Sequence, residues 1–247
     1  VTASDGTAAG DAERDAGSAA ARSAVRDGLG VGISVGLSGL AFGAAAVTAG
    51  MSVAQACVLS LLAFTGASQF ALAGVLGGGG SLVAGTLGAV LLGARNGLYG
   101  LRLAGLLGVR GRRRLLTAHV VIDETTAVAT AQPDPRSARA GFWATAFSLY
   151  AVWNLSTLGG ALGAARIGDP EAFGMDVLGP AAFLALLWPR LTSGRAEARV
   201  AVAAIVVAVA ATPLLPPGVP VMLAAVAALA GMVRTAGTRP AAERGEG

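Results

Sequence analysis

Residues 28–94 carry no charged side chain, and that run ends at Arg95, inside LLGARNGLYG (91–100). A permanent cation in so apolar a neighbourhood needs a counter-charge or a wet cavity, because a central arginine costs about 2.5–3.5 kcal/mol on insertion scales. Snorkelling to the next basic cluster is a poor escape. Arg110 lies roughly 22 Å further along a continuous helix at about 1.5 Å per residue. The only acids between Asp27 and Asp134 are Asp123 and Glu124, in VVIDETTAVA, and they are the natural partners for Arg95. Gly93 and Gly97 flank the arginine, so a helix break that exposes backbone donors and acceptors is expected there.

A second polar group sits in FTGASQFALAG (64–74), where Ser68 and Gln69 follow the helix-loosening Gly66. Their amide and hydroxyl either join helices, worth about 0.6 kcal/mol per bond, or line a site. His119 is the sole histidine. Its position beside VRGRRR (109–114) points to a plain surface role. An intramembrane hydrolase using Ser68 and His119 is one alternative function, but Ser68 lacks a nucleophile turn and no oriented dyad is evident. A non-transporting membrane scaffold is the other; it would not require an amide, an arginine and paired acids at depth. No G-x-x-x-x-G-K-[ST] motif occurs, so ATP-driven chemistry is unsupported. The lone Cys57 forms no internal disulfide. No catalytic residue, metal site or cofactor is expected.

The elements that must position these residues are helical and apolar. The chain is 54% hydrophobic and 13% charged, with mean hydropathy +0.68, where soluble domains run near a quarter charged. The expected fold is all-α, a polytopic helical membrane bundle with about six to seven hydrophobic segments. These are residues 29–49, 52–76, 81–107, 142–165, 177–191, 200–215 and 219–233, with a weaker one at 115–132. PDPRSARA (133–140) is expected to be a loop. Residues 1–24 are expected to be a disordered cytoplasmic tail without the order of a cleavable signal peptide. Residues 25–234 would form the transmembrane domain and 235–247 a short C-terminal tail.

All eighteen basic residues are arginine, and they cluster beside apolar segments. That marks topology by the positive-inside rule, not a nucleic-acid surface. It places the arginine clusters and the C-terminus in the cytoplasm, and the acidic loop with Asp169, Glu171 and Asp176 outside. Three full crossings between Arg26 and Arg110 would violate the rule, so segments in the first half are expected to be broken or re-entrant. Gly32, Gly36, Gly39 and Gly43 fall on one helix face and suit close packing within the chain.

GLAFGAAAVTAGMSVAQACVLSLLAFTGASQF, then GARNGLYGLRLAG, then IDETTAVA are similar in order and spacing to the AzlC family, the large subunits of branched-chain amino-acid exporters. The resemblance covers residues 25–233. GASQF is its most specific element. Arg95, Tyr99 and Gly100 match the family's N-x-R-H-x-L-Y-G pattern, whereas Gly93 replaces its Asn and Asn96 its His. The resemblance implies a cell-membrane secondary transporter, a small four-helix AzlD-type partner subunit, and an amino-acid substrate such as valine, leucine or isoleucine. The candidate substrate-binding set is Gly66, Ser68, Gln69, Arg95, Asn96, Tyr99, Asp123 and Glu124. Arg95 would take the substrate carboxylate, Asp123 or Glu124 the ammonium, and surrounding Leu and Val the side chain. The energy source would be an ion gradient, most simply protons.

Overall fold

The structure is a computed structural model and describes residues 4–167 and 194–215, with isolated positions between 184 and 226. The described residues are helical and contain no strand. They form α1 (Ser4–Gly36), α2 (Gly39–Thr48), α3 (Val53–Leu62), α4 (Ala67–Gly77), α5 (Leu82–Gly93), α6 (Arg95–Leu107), α7 (Arg113–His119), α8 (Asp123–Thr130), α9 (Pro135–Arg166) and α10 (Arg195–Ala211). The expected segments 177–191 and 219–233, the acidic loop and the C-terminal tail lie outside the described residues, save for a few scattered positions.

The centre of the bundle is α9, against which α1, α2, α3 and α8 all pack. The glycine stripe explains how α1 and α2 come so close. Ala24, Gly28, Gly32 and Gly36 are buried at four-residue spacing, and Gly39 and Gly43 continue the face. A Cβ at Gly36 would lie 2.7 Å from Val152 Cβ. One at Gly32 would overlap Ser148 Oγ, and at Gly39 and Gly43 it would overlap the carbonyls of Trp153 and Thr157. Only hydrogen at these positions lets the backbones meet, as expected for intramolecular packing of small residues. Above the stripe, Phe42 stacks on Trp153 at 6.1 Å and meets Phe70 edge-on at 5.6 Å, forming the main core.

Local chemistry sets the helix starts. Ser52 and Gln55 form a reciprocal capping box at α3. Ser81 Oγ accepts from Ala84 N at α5. Asp134 accepts from the backbone of Arg136 and Ser137 and from Ser137 Oγ at α9, with Pro135 in the first turn. This cap corrects the expected loop at 133–140, most of which is the first turns of α9, because Pro is pre-organised for that position. The N-terminal expectation is also corrected, since α1 is helical from Ser4. Its Ala-rich, Arg-containing composition favours helix, and its later turns gain a partner where Ala24 packs near Gly141.

Among the described residues, one helical stretch is long and apolar enough to cross a membrane, Arg14–Thr48, which includes the bend at Leu37 and Ser38. The other apolar stretches are divided. Segment 52–76 is split into α3 and α4, 81–107 into α5 and α6, and 115–132 into α7 and α8. Within 81–107, α5 is apolar, whereas α6 is amphipathic and exposes Arg102. Large apolar side chains cover much of the exterior, including Leu82, Val83, Val90 and Leu91 on α5, Leu115 and Leu116 on α7, and Val202, Ile205 and Val209 on α10.

Candidate functional site

Three helix interruptions carry the candidate residues. Ser68 and Gln69 stand in the first turn of α4, Arg95 and Asn96 in the first turn of α6, and Asp123 and Glu124 in the first turn of α8. Two of the interruptions have a visible local cause. Gly66 adopts φ +56°, ψ −89°, a conformation that favours glycine. Ala94 stays helical in φ and ψ, so α5 and α6 bend with little separation. Between α7 and α8, Ile122 is extended. Thr125 Oγ1 secures that break by accepting from Ile122 N at 3.0 Å and donating to Val120 O at 2.9 Å.

Tertiary contacts bring the interruptions together. Arg95 Nη1 lies 3.0 Å from Asp123 Oδ2, with both side chains about one-third exposed (36% and 31%). The two residues named from sequence as mutual counter-charges are thus an ion pair. Across the bend, a Cβ at Gly93 would sit 3.3 Å from Ser68 Oγ, so α5 ends against the first turn of α4. Gln69 is 1% exposed; its Nε2 donates to Leu59 O at 3.1 Å, while its buried Oε1 has no hydrogen-bond partner. Asn96 Oδ1 is buried without a partner as well. Buried polar atoms are nearly always bonded, and these two acceptors are among six buried side-chain polar atoms without a partner among the described residues. Glu124 is partly buried beside Asp123. Tyr99, one turn after Arg95 on α6, packs against the apolar cluster that includes Leu103, Leu107, Val121 and Phe142.

His119 departs from its expected surface role. Its Nε2 is 2.9 Å from Leu61 O, which also accepts from Tyr150 Oη at 3.2 Å. A carbonyl only accepts, so Nε2 carries hydrogen. The ring also packs against Phe64 and Tyr150 at 6.4 and 5.8 Å. Side chains from α7 and α9 thereby satisfy the last turn of α3, whose carbonyls no longer have helical donors. Sequence separation hid this role, since Leu61 and His119 are far apart in the chain. With Nε2 committed to Leu61 O, the imidazole is not arranged as a base for Ser68, and no hydrogen bond among the described residues joins the two. Nor do three His, Cys, Asp or Glu side chains converge on a metal-sized space among the described residues.

A family model described as AzlC protein matches residues 30–167, more than half of the chain. The chain belongs to the AzlC family. The matched region contains all three interruptions and every candidate residue. This family is associated with membrane transport of branched-chain amino acids and is not a family of enzymes. No curated protein and no solved structure matches the chain.

Proposed function

We propose that this chain is the large subunit of a secondary transporter that exports branched-chain amino acids, with the substrate seated between Arg95 and Asp123. The observation that carries this reading is the 3.0 Å ion pair at the meeting of two helix interruptions. A free amino acid is a zwitterion, so it enters such a pair without changing the net charge of the site. Its carboxylate replaces Asp123 on the guanidinium, whose planar fork suits two oxygens. Its ammonium then bridges to the released Asp123 or to Glu124. The ammonium has three donors, and Gln69 Oε1 and Asn96 Oδ1 are acceptors without donors. Both charges keep a counter-ion throughout, which avoids the penalty of stranding one of them at low dielectric. Ser68 lines the α4 side, and Gly66 provides the break that lets α4 begin there.

The exposed apolar faces of α5, α7 and α10 support a multi-pass location in the cell membrane. In this arrangement α3–α4 and α5–α6 are interrupted elements of the kind that frame transporter sites. The C-terminus and the arginine clusters face the cytoplasm. Transport draws on an ion gradient, most simply protons, and the chain works with a small four-helix AzlD-type membrane subunit.

The test is export. Cells expressing the chain with its partner subunit, and preloaded by a leucine-containing dipeptide, are expected to release leucine faster than cells carrying the empty vector. Arg95→Leu at equal protein level is expected to abolish the difference. Unchanged release on expression of the intact pair would overturn the transport reading.

A further inference from the structure

We propose that the basic turn between α6 and α7, together with the apolar groove beside it, binds an anionic phospholipid. The inference rests on the membrane location proposed above; its basic mouth lies at the opposite end of α6 from the ion pair, and the groove beside it reaches back to Asn96, next to Arg95. Gly108 (φ +63°) ends α6 in a left-handed turn, and Gly111 (φ +61°) bends the chain again before α7. These bends gather Arg110, Arg112 and Arg113 around a depression of about 680 Å³ that also touches Leu107 and Val109. Arg139, reaching over from α9, places Nη2 3.1 Å from where a Cβ of Gly108 would sit. None of these four arginines, nor Arg114, forms an ion pair among the described residues. The carboxylate of Asp134, at the start of the helix that carries Arg139, is occupied by Ser137 and backbone amides. The cluster therefore holds excess positive charge over one tight turn.

Leu107 and Val109 are shared with a second groove of about 450 Å³ lined by α6 and α7, with Arg114 among its lining residues. Its wall on α6 runs from Asn96 to Leu107, roughly 16 Å of helix. That matches about half of a ~30 Å hydrocarbon core, the depth of one leaflet. Gly97 and Gly100 leave the wall open, since a Cβ at either would meet nothing within 4 Å. A cationic mouth joined to an apolar channel one leaflet deep fits a single amphiphile: a phosphate diester on the arginines and an acyl chain along α6. Arginine forks bind phosphate oxygens in pairs. The positive-inside orientation puts this mouth at the leaflet where anionic lipids attract basic segments. A free phosphate satisfies only the mouth and leaves the groove unused.

The test uses the full chain with its partner subunit, extracted in neutral detergent and offered equal phosphatidylglycerol and phosphatidylcholine before native mass spectrometry. Phosphatidylglycerol is expected to be retained in preference, and each of Arg110→Gln, Arg112→Gln and Arg114→Gln is expected to lower that preference about fivefold. These side chains are exposed, so the fold should survive the changes. Gly100→Leu fills the groove without altering charge, and is expected to reduce retention of both lipids. Equal retention of the two lipids by the unaltered protein would overturn the inference. So would unchanged retention in Gly100→Leu, or displacement of phosphatidylglycerol by an equal concentration of inorganic phosphate. Fractionation separates this from the reading beneath it. Protein recovered with membranes but lacking headgroup preference overturns only the lipid site, whereas recovery in the soluble fraction overturns the membrane location itself.

Discussion

Alanine at Gly36 and alanine at Gly30 are the same chemical change on the same helix, yet the structure gives them opposite consequences. At Gly36 the new Cβ would lie 2.7 Å from Val152 Cβ and 2.9 Å from Val152 Cγ1. Carbon atoms rest about 3.5–4.0 Å apart, so α1 and α9 must part by roughly 1 Å. A gap of that size forfeits up to about half of each dispersion contact along the face, and overpacking of this kind costs about 1–3 kcal/mol. At Gly30 nothing lies within 4 Å, and only the gain in helix propensity remains, about 0.8–1.0 kcal/mol. That gain is common to both variants and cancels when they are compared. The difference between them is therefore the packing term, about 1–3 kcal/mol, or roughly 2–12 °C in Tm at this chain length. Thermal unfolding of the detergent-solubilised protein measures it. Gly36→Ala should melt below Gly30→Ala by that interval, and Gly43→Ala lower again, because a carbonyl of α9 cannot rotate aside as a valine can. Equal melting temperatures for Gly36→Ala and Gly30→Ala would refute the close approach of α1 to α9.

Three further outcomes follow from other contacts. Arg95→Leu should destabilise the protein by about 1–3 kcal/mol, between the values for exposed and buried pairs; Asp123→Asn added to it should recover most of that loss, and a double-mutant cycle on Tm shows whether the two are coupled. His119→Phe keeps the ring packing but removes one donor to Leu61 O, so amides at 63–69 should exchange about fivefold faster, the equivalent of one hydrogen bond of about 1 kcal/mol; unchanged exchange would count against the bridge. Asp134 has its carboxyl held below its usual value of 3.8 by the Ser137 hydroxyl and by backbone amides. A lowered folded value contributes stability that is present above the ordinary carboxyl range and lost as pH falls through the folded value. The Tm of Asp134→Asn should therefore lie below that of the unaltered protein near neutral pH and converge with it in acid.

The pairing of Arg95 with Asp123 was legible in the sequence because alternatives were few. In a long stretch without charge, the available opposite charges name one another. The glycine stripe was legible for a similar reason, as four-residue spacing defines a face whatever packs on it, although its partner helix was not. The interruptions were legible from arginine topology and from glycine: Gly66 marks one and Gly93 with Gly97 brackets that at Ala94, whereas the break at Ile122 has no glycine to announce it. The role of His119 was not legible, since its acceptor is a backbone carbonyl distant in the chain and every residue type supplies one. The helical start of α1 was missed because low hydrophobicity suggested disorder, while alanine and arginine favour helix independently of burial. Likewise, the arginines after Gly108 read as a topology signal in the sequence, and the groove beside them is visible only in the fold.

In the proposed transport cycle an amino-acid zwitterion enters the Arg95–Asp123 pair, and direct binding tests that most simply. Radiolabelled leucine would be titrated against the purified chain with its partner subunit in lipid nanodiscs, alongside Arg95→Lys, Arg95→Leu and Asp123→Asn. The unaltered protein should bind leucine saturably and be competed by valine and isoleucine, but not by leucine amide, which lacks the carboxylate. Arg95→Lys should bind more weakly through loss of the planar fork, and Arg95→Leu should not bind. Equal competition by leucine amide, or full leucine affinity in Arg95→Leu, would contradict the placement of the substrate on this pair.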